Sequence, residues 1–294
     1  MTNVYFSKHL TAYKCWPKLS EALNSLKISY RFLPNTRDIW VRDFMPIASP
    51  KGRYISYTYA PDYLRNQPEF ITDWQDTLSP SSIPYVDANL ILDGGNIILC
   101  DSKVILTDKI FSENPCLSRR EVLRRTELVF QAEPVIIPWD HSEPYGHADG
   151  MVRHLGHNQV LLTNYCDFNP SFRTQLLDAL KPHFEVLELH FSVPHPHKNN
   201  WAYINFLQAN DTFILPRLNA PEDEQACAQI SECYRIPPAN IRMVDIHAIL
   251  QQGGGLNCIS WTCEFPGNSA LDFREICPFL PLPNRRFFCQ IEEK

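Results

Sequence analysis

Short apolar runs rich in β-branched residues recur along this chain, each closed off by Gly, Pro, Asn or Asp, with helical patterns between them. The runs lie at residues 89–100, 103–108, 133–138, 158–165, 184–190, 211–216 and 241–246. Runs of that length and composition, bounded by turn formers, read as strands. Residues 118–130 and 221–234 carry helical patterns instead. The second opens with Pro221 and the acids Glu222, Asp223 and Glu224, which suits a helix N-terminus. The expectation is an α/β chain forming a single domain over residues 1–294, its many short elements marked by 24 scattered prolines.

Bulk properties exclude several classes. With 44% hydrophobic and 20% charged residues, a chain of 294 residues can bury a sizeable core. A formal net charge of −6 argues against nucleic acid as a partner and suits a protein that receives cations. No run reaches the ~18 apolar residues of a membrane span, and the first residues lack the apolar core of a secretory signal. The ten cysteines include no C-x-x-C pair. They read as reduced thiols of a cytoplasmic protein. No metal or cofactor is called for, and self-association into a homo-oligomer is left open.

Glycine is used sparingly and in telling places. Of ten glycines, six fall in three clusters: Gly94-Gly95, Gly146 and Gly253-Gly254-Gly255. Each cluster lies beside an acid, a His or a Cys, where backbone must approach something closely. Tight turns alone would explain one cluster but not three. Asp43, Asp93, His147, Tyr203 and Cys258 also recur at intervals of 50, 54, 56 and 55 residues. Such spacing suggests five similar units delivering residues to a common centre.

The chemistry-bearing clusters can be read one by one. DIWVRDFMP (38–46) offers Trp40, Arg42 and Asp43 ahead of a Pro that ends the element. LDGGNI (92–97) puts Asp93 at a strand end before two glycines. In EPYGHADG (143–150), His147 and Asp149 stand two apart. On an extended strand they would project from one face into one pocket. GGGLNCISW (253–261) is a glycine loop expected to run into a short strand presenting Cys258.

Taken together and in this order, the clusters resemble the guanidino-group-modifying superfamily, and agmatine deiminases in particular. That family's W-x-R-D-x-G-P is similar to Trp40 through Pro46, and its acid-Gly-Gly strand to Asp93-Gly94-Gly95-Asn96. Its G-H-x-D matches Gly146 to Asp149, and its G-G-G-x-x-C matches Gly253 to Cys258. AYINFLQANDTFILP (202–216) supplies the fourth unit. The resemblance implies a five-bladed, pseudo-symmetric α/β-propeller of ββαβ units. It implies Cys258 as nucleophile, His147 as general acid/base, Asp43 and Asp149 as carboxylates clamping the substrate, and Asp93 as the acid orienting His147. Trp40 and Gly254 would line a small guanidino substrate, agmatine foremost, and Glu143 would hold its distal ammonium. Arg65 and Arg153 are candidates for an arginine carboxylate.

These residue types suit the chemistry. A guanidinium stays protonated to pH ~12.5–13.8, so its carbon is a poor electrophile in water. Two carboxylates can grip its edges through parallel charge-assisted bonds and leave the carbon open to a sulfur. The same acids should raise the thiol pKa above ~8.5, which a bound cation would reverse. Three departures from the family bear on the substrate: Met45 stands where relatives have Gly, Asn257 where they often have His, and Ser260-Trp261-Thr262 where a T-Q-Q run is common. Amidinotransferase, arginine deiminase and peptidyl-arginine deiminase activities would use the same centre. A cysteine protease would not need Asp43 and Asp93. A zinc site at His195-Pro196-His197 and a non-catalytic binding protein complete the alternatives.

Overall fold

The computed structural model describes residues 2–49, 52–79, 83–197 and 199–263; residues 264–294, included in the expected single domain, lie outside the described residues. Strand β1 (Asn3–Ser7) pairs in parallel with β2 (Tyr30–Leu33) and antiparallel with β15 (Trp261–Cys263), so the two ends of the described chain share a sheet. Four further three-stranded sheets follow in chain order. They are β3 (Ile47–Ala48), β4 (Tyr54–Thr58) and β5 (Tyr85–Ile91); β6 (Ile98–Cys100), β7 (Lys103–Thr107) and β8 (Glu133–Ile137); β9 (Val152–Gly156), β10 (Gln159–Leu162) and β11 (Glu185–Glu188); and β12 (Leu207–Ala209), β13 (Thr212–Arg217) and β14 (Ile241–Asp245). In every sheet the middle strand is antiparallel to one neighbour and parallel to the other.

Parallel strands need a crossover, and each crossover here contains a helix. These are Trp16–Ser25, Trp74–Thr77, Arg119–Phe130, Pro170–Leu180 and Asp223–Tyr234. The two helices expected from sequence are among them. Ser118 caps Arg119–Phe130, its hydroxyl accepting from the Glu121 amide at 3.2 Å. All seven expected apolar runs contain strands. The α/β expectation holds.

Apolar packing joins each unit to the one before it. Val122 and Phe130 of one helix pack with Ile55, Tyr57 and Leu90 of the preceding sheet. Leu176, Leu177 and Leu180 pack with Ile105 and Val135, and Ala226 and Ile230 with Leu161 and Leu189. Trp74 joins Tyr5 and Leu33. The first helix completes the series: Leu19 and Leu23 pack with Leu207, Ile214 and Val244 of the fifth sheet. Contacts therefore run in a cycle, driven by burial of apolar area that no single small sheet could achieve alone.

Trp261 ties β15 into this cycle. It is buried, its Nε1 donates to Pro46 O at 2.7 Å, and its ring lies 5.4 Å from Tyr5 and 5.9 Å from Tyr54. Trp261→Ala should cost about 3–5 kcal/mol through lost area and a cavity. Urea unfolding followed by circular dichroism measures this, and a loss under about 1 kcal/mol would show that the seam is not stability-determining.

Candidate active site

Five short turns stand at the entrances to the five sheets. They are Val41–Phe44 before β3, Gly94–Asn96 before β6, Ala148–Gly150 before β9, Asn200–Ile204 before β12, and residues 256–259 before β15. Hydrogen bonds pass between neighbouring turns around the cycle. Gly95 N donates to Asp43 Oδ1 at 3.1 Å, and His147 Nε2 bonds Asp93 Oδ2 at 2.9 Å. Asn205 Nδ2 donates to Asp149 O at 3.3 Å, Asn257 N to Asn205 O at 3.1 Å, and Arg42 N to Cys258 O at 3.1 Å. The regular sequence spacing arises here, since each turn occupies the same place in its unit.

Two local expectations are corrected. His147 and Asp149 do not share the face of a strand: His147 caps a 3-10 turn that contains Asp149. At three residues per turn, positions two apart diverge by about 120°. His147 consequently meets Asp93 and, at 3.7 Å through Nδ1, Asp43. Asp149 turns to the other side, where its Oδ2 accepts from Asn257 Nδ2 at 2.6 Å and lies 3.8 Å from Cys258 Sγ. Cys258 likewise sits on a turn ahead of β15, not within it. The carboxylates Asp43, Asp93 and Asp149 and the Cys258 thiol are all buried.

Electrostatics follow from that burial. Desolvation pulls the His147 pKa down, but Asp43, the Asp93 hydrogen bond and Asp149 outweigh it and hold it at about 10. Burial pushes the Asp43 carboxyl up to about 7; His147 pulls against this, while Asp93 and Asp149 add to it. Burial, then Asp149 and Asp43, drive the Cys258 thiol well above its ordinary value. At neutral pH the site holds an imidazolium, clustered acids and a protonated thiol. Asp93 Oδ1 is buried and has no hydrogen-bond partner among the described residues.

The glycine clusters are close-approach positions. A Cβ at Gly95 would lie 2.5 Å from His147 Nδ1 and 2.8 Å from Asp43 Oδ1; one at Gly254 would lie 2.1 Å from the half-buried Trp40 ring. Trp40 and Gly254 therefore pack on each other beside the site. Glu143 uses both oxygens on its own loop, accepting from Tyr145 N and Gly146 N at 2.7 Å each. The Tyr63 and Tyr145 rings stand 6.1 and 6.0 Å from that of His147.

Sequence reasoning chose the wrong residue from the fourth unit. The Tyr203 hydroxyl is turned away to Asp223 at 2.8 Å. Asn205 is the residue delivered to the centre: its Oδ1 accepts from Cys258 N at 3.3 Å and lies 3.4 Å from Cys258 Sγ. Its signal was present, since Asn205 is 56 residues from Asp149 and 53 from Cys258. Lys109 was also missed. Its buried ammonium donates to Tyr145 O at 2.6 Å and pairs with Asp62 at 3.0 Å and Glu113 at 3.4 Å, bracing the loop that carries His147. Arg153 stacks on Phe206 at 4.3 Å. His197 uses Nδ1 to accept from Asn199 N at 3.2 Å. Among the described residues the metal-type donor triple is Cys166, Asp167 and His190, which includes no residue of this site.

The sequence model of the Porphyromonas-type peptidyl-arginine deiminase family matches residues 15–264. No curated protein sequence matches. Among solved structures, an agmatine deiminase of C. jejuni shares 17% identity at a TM-score of 0.65, covering 88% of this chain and 92% of its own. An agmatine deiminase of Enterococcus faecalis shares 15% at 0.68, with 88% and 92% covered. The dimethylarginine dimethylaminohydrolase of Pseudomonas aeruginosa, in complex with citrulline, shares 13% at 0.56, with 89% and 98% covered. At these identities the similarity is one of fold.

The charge state of His147 is directly measurable. Its imidazole should titrate near 10 by nitrogen NMR, and Asp93→Asn should lower that value by removing a hydrogen-bonded anion. An imidazole titrating near the ordinary ~6.5 in the intact protein would overturn this assignment.

Proposed function

Because the chain belongs to the Porphyromonas-type peptidyl-arginine deiminase family, we propose that it hydrolyses the guanidinium group of a small arginine-derived substrate, agmatine foremost, to a ureido product and ammonia. The observation that carries this reading is that one turn aims His147 at Asp43 and Asp93 and places Asp149 3.8 Å from the Cys258 thiol. The cyclic packing of five three-stranded sheets supports the corresponding scaffold, a five-bladed α/β-propeller closed by β1 and β15.

In this reading Asp43 and Asp149 grip opposite edges of the planar cation, and the unpartnered Asp93 Oδ1 is available for a further N–H. The Cys258 thiolate adds to the central carbon. His147, protonated at neutral pH, gives its proton to the departing nitrogen, and ammonia leaves an amidino thioether on Cys258. The imidazole then takes a proton from water as its oxygen attacks the same carbon. Collapse releases the ureido product and the thiol. The product is neutral, so its ion pairs with Asp43 and Asp149 vanish and release is favoured. Glu143 keeps the His147 loop in place by accepting from Tyr145 N and Gly146 N.

The thiol is held protonated by its burial and then by Asp149 and Asp43, the acids that grip the substrate in this reading. A guanidinium between Asp43 and Asp149 reverses the local sign, so substrate binding itself ionises Cys258. Two measurements test the proposal. Ammonia and ureido product should form from agmatine in a panel with arginine and an arginine-containing peptide, and Cys258→Ala should reduce the rate by about a thousandfold or more. Iodoacetamide should alkylate free-enzyme Cys258 slowly at pH 7 and faster as pH rises beyond 9, following the raised thiol pKa. Rapid alkylation at pH 7 without ligand would contradict ligand-induced ionisation, and no turnover of any panel member would sink the deiminase reading.

A further inference from the structure

A cavity of ≈ 590 Å³ opens beside the same turns and is lined by Arg42, Arg153, Gln208, Asn210, Tyr234 and Asn257 among others. None of Asp43, Asp93, His147, Asp149 and Cys258 lines it, so it is distinct from the site described above. Among the described residues no acid lines it either, although the chain carries a formal net charge of −6. Two guanidinium groups thus face one space whose other polar linings are neutral at neutral pH. Arg42 Nε is buried with no hydrogen-bond partner among the described residues. Arg153 is held in place by its stack on Phe206 at 4.3 Å. Burial and the neighbouring Arg153 charge both disfavour the charged form of Arg42, although Asp149 offsets them.

An unpaired buried N–H and two juxtaposed like charges are costly arrangements, and one ligand chemistry relieves both. A guanidinium fork presents parallel donors that match a phosphoryl group, and the two charges of a phosphoryl dianion answer two guanidiniums where a monovalent carboxylate answers one. The volume would hold about twenty waters at liquid density, which leaves room for an organic group beyond the phosphoryl oxygens. We propose that this cavity binds a phosphoryl dianion between Arg42 and Arg153, either inorganic phosphate or a small phosphate monoester.

The site is wired to the thiol. Arg42 Nη2 donates to Asn257 Oδ1 at 3.2 Å, and Asn257 Nδ2 donates to Asp149 Oδ2 at 2.6 Å. Arg42 N also donates to Cys258 O at 3.1 Å. An anion that draws the Arg42 guanidinium toward itself weakens its hold on Asn257, and through Asn257 the placement of Asp149 against Cys258. Asn257, the residue that departs from the family's common His, is the link.

Calorimetric titration of the intact protein at constant ionic strength tests binding without reference to turnover. The probes are inorganic phosphate, glycerol 3-phosphate and succinate. Phosphate or glycerol 3-phosphate should bind saturably, and Arg153→Gln should weaken binding by about tenfold or more. Arg153→Lys, which keeps the charge but not the fork, should weaken it less. Tighter binding of glycerol 3-phosphate identifies a monoester site, and tighter binding of phosphate identifies the free ion. Cys258→Ala should bind as the parent does, so failure of the deiminase reading leaves this result standing. Should Arg153→Gln not fold by circular dichroism, the Arg153→Lys comparison decides. Absence of saturable binding, equal binding of succinate, or undiminished binding by the folded Arg153 variants would each overturn the proposal.

Discussion

Negative charge buried around a thiol is what the rest of this molecule is arranged to tolerate. Asp43, Asp93 and Asp149 are all withdrawn from water, and an isolated buried carboxylate costs far more than a domain's net stability can spare. Protonated His147 answers two of them, through Asp93 Oδ2 and Asp43 Oδ1. Asp149 is answered by Asn257, which is itself held by Arg42. Neither response is complete. Burial still lifts Asp43 to about 7, and Asp93 Oδ1 has no hydrogen-bond partner among the described residues. A centre left electrostatically incomplete in this way is complementary to a cation, and most of all to a flat one with several N–H donors.

That incompleteness survives because the backbone around it is rigid. Every acid is carried by a helical or 3-10 turn that is hydrogen-bonded to its neighbours and anchored to a sheet immediately afterwards. Gly95 lets the second turn come within reach of both Asp43 and His147, and its amide donates to Asp43 Oδ1 at 3.1 Å. Gly254 does the same for the loop against Trp40. A side chain at either position would push the turns apart and separate the groups whose proximity sets the pKa values. Lys109 works from outside, linking the His147 loop to Asp62 and Glu113, so that the imidazole is held from both ends.

How far the sequence was legible depended on what each element had to signal. The central strands β7, β10 and β13 are buried along nearly their whole length, so they read as continuous apolar runs. The edge strands β3, β6, β12 and β15 have two or three residues, too few for a pattern to emerge, and β9 carries Arg153 and His154 in place of an apolar run. β6 was found because it adjoins the Gly94-Gly95 turn. The site residues were legible from chemistry and order, since acids, a His and a Cys beside glycines have few bland explanations. Local conformation was less so: G-H-A-D has no periodicity that separates a strand from a 3-10 turn. Asn205 was passed over for Tyr203 because an aromatic looks more functional than an amide. In three dimensions the amide is the one short enough to sit under the sulfur and bridge two turns.

The cyclic arrangement explains why so little sequence identity is needed to keep such a fold. Each unit is fixed by apolar contact with the one before it, and the first unit closes on the fifth. Displacing one turn therefore strains two interfaces at once, and interiors packed to native density do not deform continuously. The side chains filling those interfaces can be exchanged for others of similar volume. The turn residues cannot, because each answers to a charge or a close approach at the centre. Solved structures sharing 13–17% identity and TM-scores of 0.56–0.68 are what such a division of constraint produces. Met45, whose sulfur accepts from Thr77 at 3.3 Å, and Asn257, which bridges Arg42 and Asp149, are supports of the centre of this kind, standing behind the acids, the imidazole and the thiol.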